Sequence, residues 1–202
     1  MKRPARVVVA SKNPDKIREV EAVLASFDPS IEIVTGHDWP DVAETEDSLE
    51  GNALLKARAV MQATGVAALA DDTGLEVDAL GGAPGVYSAR YAGPDATYAD
   101  NLARLLHDLD GVEERVARFR TVVALVDPDG SELFVEGVFE GRITTDPRGD
   151  AGFGYDPVFE VDGRTIAEMP EAEKNTISHR ARALQALARE LHELDSPVAD
   201  ST

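Results

Sequence analysis

LADDTGL, residues 69–75, is the stretch on which the reading of the fold turns. The run VAALA (66–70) is short, uninterrupted and apolar, the pattern of a buried strand. It delivers two adjacent acids, Asp71 and Asp72, at the strand's end. Either the pair stops the strand at a solvated turn, or it holds a metal. Neighbouring strand residues point to opposite faces. If the strand runs through the pair, one acid faces a site and the other supports the turn.

Outward from this stretch, strand and helix patterns alternate. ARVVVA (5–10) reads as a buried strand and IEIV (31–34) as a second. Between them Asn13 is a good cap, Pro14 suits the first helical position, and Ile17, Val20, Leu24 and Phe27 form an apolar stripe. The next helix is expected from Asp47, with Asp47 and Glu50 as a capping box. Leu49, Ala53, Ala57, Val60 and Met61 form its inner face, and Gly65 ends it. Residues 97–110 read as a helix. Residues 117–143 read as a hairpin turning at Pro128, Asp129 and Gly130. GFGYDPVF (152–159) reads as a loop or short strand. A last helix is expected from about Thr176 to Leu194, and the tail DSPVADST after it is expected to fray. This order predicts an α/β fold with a mixed β-sheet flanked by helices. A single domain is expected over 1–195, with 196–202 expected as a disordered tail.

Composition narrows the function. No cysteine is present, which excludes disulfide scaffolds, thiolate metal sites and cysteine nucleophiles. No apolar run approaches the roughly 18 residues of a membrane span, and the N-terminal apolar run is too short for a signal peptide, so a cytoplasmic protein is expected. The formal charge of −18 repels nucleic-acid backbones, so no nucleic-acid partner is expected. Arginine outnumbers lysine 15 to 5, which makes each lysine worth asking about.

Lys16 falls in the first turn of a helix that follows a buried strand. A cation there is opposed by the helix dipole by roughly 0.3–1 kcal/mol unless an anion is present. The strand, the cap and Lys16 therefore describe a phosphate cradle, or else an ordinary surface lysine after an ordinary cap. No Walker A pattern occurs. EKNTISHR (173–180) repeats the anomaly with Lys174, His179 and Arg180, which either meet an anionic or electron-rich ligand or pair with Glu171 and Glu173. Asn52 and Lys56 share a helix face at the rim of its apolar stripe, where a lysine either snorkels or reaches into a cleft. Glu44, in an acidic loop, and a strand-end Asp are suitable Mg²⁺ ligands, although residues 41–51 taken alone read first as a solvated acidic loop. Phe153 or Tyr155 could stack on a base with Asp156 accepting from its edge, or the aromatics could pack inward.

Taken in order, SKNPDK (11–16), NALLKA (52–57), LADDTGLEVDALGGAPGVYSARYAG (69–93), FGYDPVF (153–159) and EKNTISHRARAL (173–184) resemble the motifs of the inosine/xanthosine triphosphate pyrophosphatases. Position 12 is lysine where many members carry glycine or another small residue. The resemblance implies an elongated mixed sheet with two lobes around a central cleft, a homodimer, and hydrolysis of ITP, dITP or XTP to the monophosphate and pyrophosphate. It implies phosphate contacts from Ser11, Asn13, Lys16 and Lys56. Glu44 and Asp72 match the Mg²⁺ ligands, and Asp72 also matches the general base. Thr73 matches a substrate contact, and Phe153, Gly154, Tyr155, Asp156, Lys174, His179 and Arg180 match the base pocket. A pyrophosphatase of the Maf type, a turnover-deficient nucleotide sensor and an acidic interaction domain are the rival readings.

Overall fold

The structure is a computed structural model that describes residues 1–28 and 30–195. The expectation for residues 196–202 lies outside the described residues. Among the described residues an eight-stranded sheet has the order β2-β1-β3-β5-β6-β7-β8, with β4 paired to β3. β1 (Arg6–Val9) lies parallel to β2 (Glu32–Val34) and to β3 (Ala68–Val77). β3 is antiparallel to β4 (Pro84–Gly85), and β7 (Phe159–Val161) is antiparallel to both β6 (Glu132–Ile143) and β8 (Arg164–Thr165). The sheet is thus mixed, as the alternation of early helices with a later hairpin predicts.

Five helices accompany it among the described residues: α1 (Pro14–Phe27), α2 (Leu49–Thr64), α3 (Tyr98–Asp108), α4 (Glu171–Ile177) and α5 (His179–Asp195). The chain divides into two compact units. The first comprises Met1–Asp72, Val122–Gly137 and the described residues from Arg180 onward; the second comprises Thr73–Thr121 and Val138–His179. Each has its own core. Val7, Val9, Leu24, Leu69, Leu125 and Leu184 anchor the first, and Leu75, Leu105, Phe119, Phe139, Ile143 and Phe159 the second. Three strands, β3, β5 (Val116–Val126) and β6, carry residues of both units.

Three expectations are corrected. β3 does not stop at the acidic pair but runs on to Val77. The pair can stay in the strand because both carboxylates are met by cations there, so neither needs a solvated turn. α2 is capped by Ser48, whose hydroxyl accepts the Gly51 amide, and not by Asp47. The expected last helix is two helices. Ser178 leaves helical geometry at ψ 164°, so Lys174 sits in the last turn of α4, where a cation is favoured, and only His179 and Arg180 open α5.

Candidate active site

In the first unit β1 feeds directly into α1. Asn13 is the observed N-cap: its side-chain oxygen accepts the Asp15 amide at 2.9 Å, and the Ser11 hydroxyl accepts the Asn13 amide at 3.2 Å. Lys16, one turn in, reaches to 3.4 Å from Asp71 Oδ2. Lys12 points elsewhere and pairs with Asp41 at an exposed position, 2.6 Å away.

The β3 acids are buried, Asp71 at 3 % and Asp72 at 5 % exposure. Successive residues of a strand face opposite ways, and the two carboxylates accordingly have different partners. Asp71 faces Lys16 and the Arg180 guanidinium, whose Nη2 and Nε lie 3.1 and 3.3 Å from Oδ2. Glu19, also buried, pairs with Arg180 from α1. Asp72 faces α2: Lys56 Nζ lies 3.1 Å from its Oδ1, and Asn52 Nδ2 donates to its Oδ2 at 3.3 Å. Lys56 also donates to Glu44 Oε1 at 2.7 Å and to the Asp71 carbonyl at 2.8 Å, which occupies its three N–H donors. Asn52 Oδ1 accepts the Glu46 amide at 3.1 Å, tying the acidic loop to the helix that holds Asp72.

Electrostatics separates the two neighbours. Burial alone would push Asp71 up, but Lys16, Arg180 and Lys56 outweigh it and hold the carboxyl well below the usual carboxylate range. For Asp72 burial wins. Helped by the charge of Glu44, and only partly offset by Lys56 and Lys16, it raises the carboxyl above its ordinary value. Burial works against the charge of Lys56, but Asp72, Glu44 and Asp71 more than compensate and its ammonium is strengthened. One strand thus carries a permanently ionised counter-ion beside a carboxyl made more basic than usual, the division of labour expected of acid–base sites.

Glu44 and Asp72 converge on one ammonium, so the loop acid and the strand acid can serve one cation. No group of three or more metal-capable side chains occurs among the described residues. Two oxygen donors suit Mg²⁺, which is commonly held by one or two carboxylates with the rest supplied by water and phosphate.

In the second unit Asp156 is buried and accepts Lys174 Nζ at 2.6 Å and the Phe153 amide at 2.9 Å, both on Oδ2. Gly152, at φ 75°, makes this possible, because a Cβ there would lie 2.1 Å from that oxygen. The Lys174 ammonium stands 4.7 Å from the Phe153 ring centroid, and Tyr98 packs on the same ring at 5.8 Å. Gly154 turns the chain at φ 66°. Tyr155 points inward, its hydroxyl donating to the Ser88 carbonyl at 2.9 Å and its ring part of the second core; of the two aromatics, Phe153 is the half-exposed one. Thr73 and His179 are joined through Thr121, at 2.7 Å between the hydroxyls and 2.6 Å to His179 Nδ1.

The sequence-predicted residues therefore fall into two groups. Ser11, Asn13, Lys16, Glu44, Lys56, Asp72 and Arg180 are in the first unit, and Thr73, Phe153, Gly154, Tyr155, Asp156, Lys174 and His179 in the second. Arg180, expected with the base-pocket residues, is buried and paired with Asp71 and Glu19. Sequence reasoning also missed Glu19 and Thr121, and noted Asn52 only as sharing a helix face with Lys56. Glu19 lies three residues from Lys16 on α1 and so shares its face, and Asn52 lies one turn before Lys56. Thr121 is a hydroxyl at an inward position of the alternating run Phe119, Thr121, Val123.

A capped strand-to-helix turn, the partly buried Lys16 and Lys56 and an acid pair of split basicity, on a mixed α/β chain, are the groups that handling a polyphosphate would call for. The Ham1 family model matches residues 7–190, and the chain belongs to the Ham1 family. It is 49 % identical to the dITP/XTP pyrophosphatase of Chlorobaculum tepidum, covering 93 % of this chain and 92 % of that one. To the protein of the same name from Symbiobacterium thermophilum it is 51 % identical, over 89 % and 91 %. Among solved structures, a HAM1 protein from Coxiella burnetii superposes with TM-score 0.83 at 42 % identity, covering 93 % of this chain and 98 % of that one. The dITP/XTP pyrophosphatase of Mycobacterium abscessus gives 0.71 at 46 %, over 90 % and 97 %.

Proposed function

We propose that this chain is a nucleoside triphosphate pyrophosphatase. It hydrolyses deaminated purine nucleoside triphosphates (ITP, dITP and XTP) to the monophosphate and pyrophosphate, a reading supported by relatives that are named dITP/XTP pyrophosphatases. The observation that carries the proposal is the acid pair on β3, with Asp71 neutralising Lys16 and Arg180 while Asp72 is held basic beside Lys56 and Glu44. Phosphoryl chemistry rests on positioning and charge neutralisation more than on a special nucleophile. Lys16, Lys56 and the first amides of α1, with Ser11 and Asn13 shaping the turn, would hold the triphosphate. Asp72 would orient a water and take its proton as the water oxygen attacks the α-phosphorus and pyrophosphate leaves. No covalent intermediate is needed.

Mg²⁺ is part of the proposal, with Glu44 and Asp72 as its protein ligands; bound, it would neutralise phosphate charge. The count of charges supports it. Four acids (Glu19, Glu44, Asp71, Asp72) face three cations (Lys16, Lys56, Arg180). A triphosphate arriving alone would add to an existing negative excess. In the second unit Phe153 offers a stacking face and Lys174 a donor for a 6-carbonyl, which hypoxanthine and xanthine carry and adenine lacks. A site with buried hydrogen-bonding groups can discriminate by as much as roughly 10⁴–10⁵. A cytoplasmic homodimer belongs to the same proposal, supported by the family resemblance; among the described residues no helix is long and apolar enough to cross a membrane.

A panel of ITP, XTP, GTP, ATP, UTP and TTP with and without Mg²⁺, reading pyrophosphate and monophosphate, tests the proposal. Rapid Mg²⁺-dependent release from ITP and XTP is expected. Equal rates on ATP, a preference for UTP or TTP, or release of orthophosphate in place of pyrophosphate, would overturn it.

A further inference from the structure

We infer that Thr121 is a positioning residue: its single hydroxyl proton couples the tautomer of His179 to the hydrogen-bonding role of Thr73, the residue that follows Asp72. The inference deepens the pyrophosphatase reading and rests on it for its catalytic consequence, though not for its structural one.

Thr121 is fully buried on β5, and its hydroxyl lies 2.7 Å from Thr73 Oγ1 and 2.6 Å from His179 Nδ1. The imidazole cannot swing away, because it is 4 % exposed and its ring is packed 4.7 Å from that of Phe119, which in turn packs 4.6 Å from Phe159. A threonine hydroxyl has one proton to give and two lone pairs. If His179 carries its proton on Nδ1, Thr121 accepts it and donates to Thr73; Thr73 then keeps its own proton for another partner. If Nδ1 is bare, Thr121 must donate to the ring, and Thr73 donates to Thr121. In that state Thr73 presents only lone pairs to anything else it meets. The two arrangements are mutually exclusive, so whatever hydrogen-bonds His179 Nε2 selects the role of a hydroxyl one residue from Asp72. Were a substrate base to meet Nε2, one that accepts a proton, as a ring carbonyl does, and one that donates, as an exocyclic amine does, would leave Thr73 in opposite states. The chain of hydroxyls is thus a means by which the identity of the base bears on the reacting end of the substrate.

The decisive readout is the ¹⁵N resonance of His179 Nδ1 in the substrate-free protein, assigned by its loss in His179→Gln. Thr121→Val, close in shape but without the hydroxyl, must move it. Thr73→Val, one hydrogen bond further away, must move it too, while Thr121→Ser returns it toward the wild-type position. A resonance unmoved by Thr73→Val overturns the coupling. In turnover, Thr121→Val should lower the ITP-over-ATP ratio of kcat/KM by roughly 5- to 10-fold, the scale of one hydrogen bond. Thr73→Val added to it should cost little more, because both remove the same unit. Full additivity, or an unchanged ratio, overturns the catalytic consequence. If wild type shows no activity on ITP, the pyrophosphatase reading fails, and the resonance still decides the coupling.

Discussion

Removing the Arg180 guanidinium should cost the fold far more than it costs substrate choice. In Arg180→Met the apolar stem is largely kept, but Asp71 and Glu19 lose a partner that is 2 % exposed. Deleting one member of a buried ion pair typically costs about 3–5 kcal/mol, since the remaining charge is left without compensation. Lys16 at 3.4 Å still shields Asp71, which places the expectation at the lower end, about 3 kcal/mol. For a chain of this length that corresponds to a drop in Tm of roughly 6–12 °C. The pH dependence has a defined sign. Wild-type Asp71 is depressed, so its contribution is complete above the unfolded value near 3.8 and is lost only as pH falls through the lower folded one. In the variant Asp71 loses one of the cations that hold it down, so its carboxyl rises and the penalty shrinks as acidification neutralises it. Urea titration followed by circular dichroism at pH 8 and pH 5.5 measures this. A loss under about 1 kcal/mol, or a penalty that grows toward pH 5.5, would refute the buried-pair account. In that case Arg180 would be free to serve the base pocket that the sequence motif implies.

Three further outcomes are expected. Asp72→Asn should lower turnover by at least about 10³-fold while calorimetry still detects nucleotide binding, as befits a group acting mainly on the proton in flight; near wild-type kcat would count against it. Asn52→Ala, which unties both Asp72 and the Glu46 amide, should reduce kcat by roughly 10-fold with a smaller change in KM; the reverse split would show Asn52 acting on binding alone. Gly152→Ala should weaken the preference for ITP over ATP, because the new methyl meets Asp156 Oδ2 and displaces the acceptor of Lys174; an unchanged ratio of kcat/KM would remove Asp156 and Lys174 from base selection.

The fold was legible where local chemistry and tertiary need agree. The Asn13 cap, the αL Gly65 and the alternation along β6 are readable because each satisfies a backbone or burial demand within a few residues. The misreadings come where a distant partner decides. Two adjacent acids look like the end of a strand until Lys16, Arg180 and Lys56, from three helices, are seen to neutralise them. Asp47 looks like a cap because its side chain is suitable, but so is that of the next residue, and Ser48 takes the role. The break at Ser178 is equally hidden: residues 171–195 keep a helical composition throughout, and only the serine, a residue favoured just before a helix, marks the restart.

The site shows why a cation at a helix start is an ambiguous sign. The dipole disfavours Arg180 there by at most about 1–2 kcal/mol, so any nearby anion can reverse the preference. Sequence alone leaves that anion as either a ligand or the nearby Glu171 and Glu173. In the structure the protein supplies it, from Asp71 and Glu19, and treats Lys16 and Lys56 the same way with Asp71, Asp72 and Glu44. The lysines proposed to hold phosphate are therefore already paired, and a triphosphate must compete with carboxylates for them. The proposed divalent cation would resolve the competition. By taking Glu44 and Asp72 it would release Lys56 toward phosphate, whereas Asp71, held ionised by three cations, stays with Arg180. On this account metal and nucleotide should bind with positive cooperativity, and Lys56→Met should lose most of that coupling while leaving Arg180 and its partners in place.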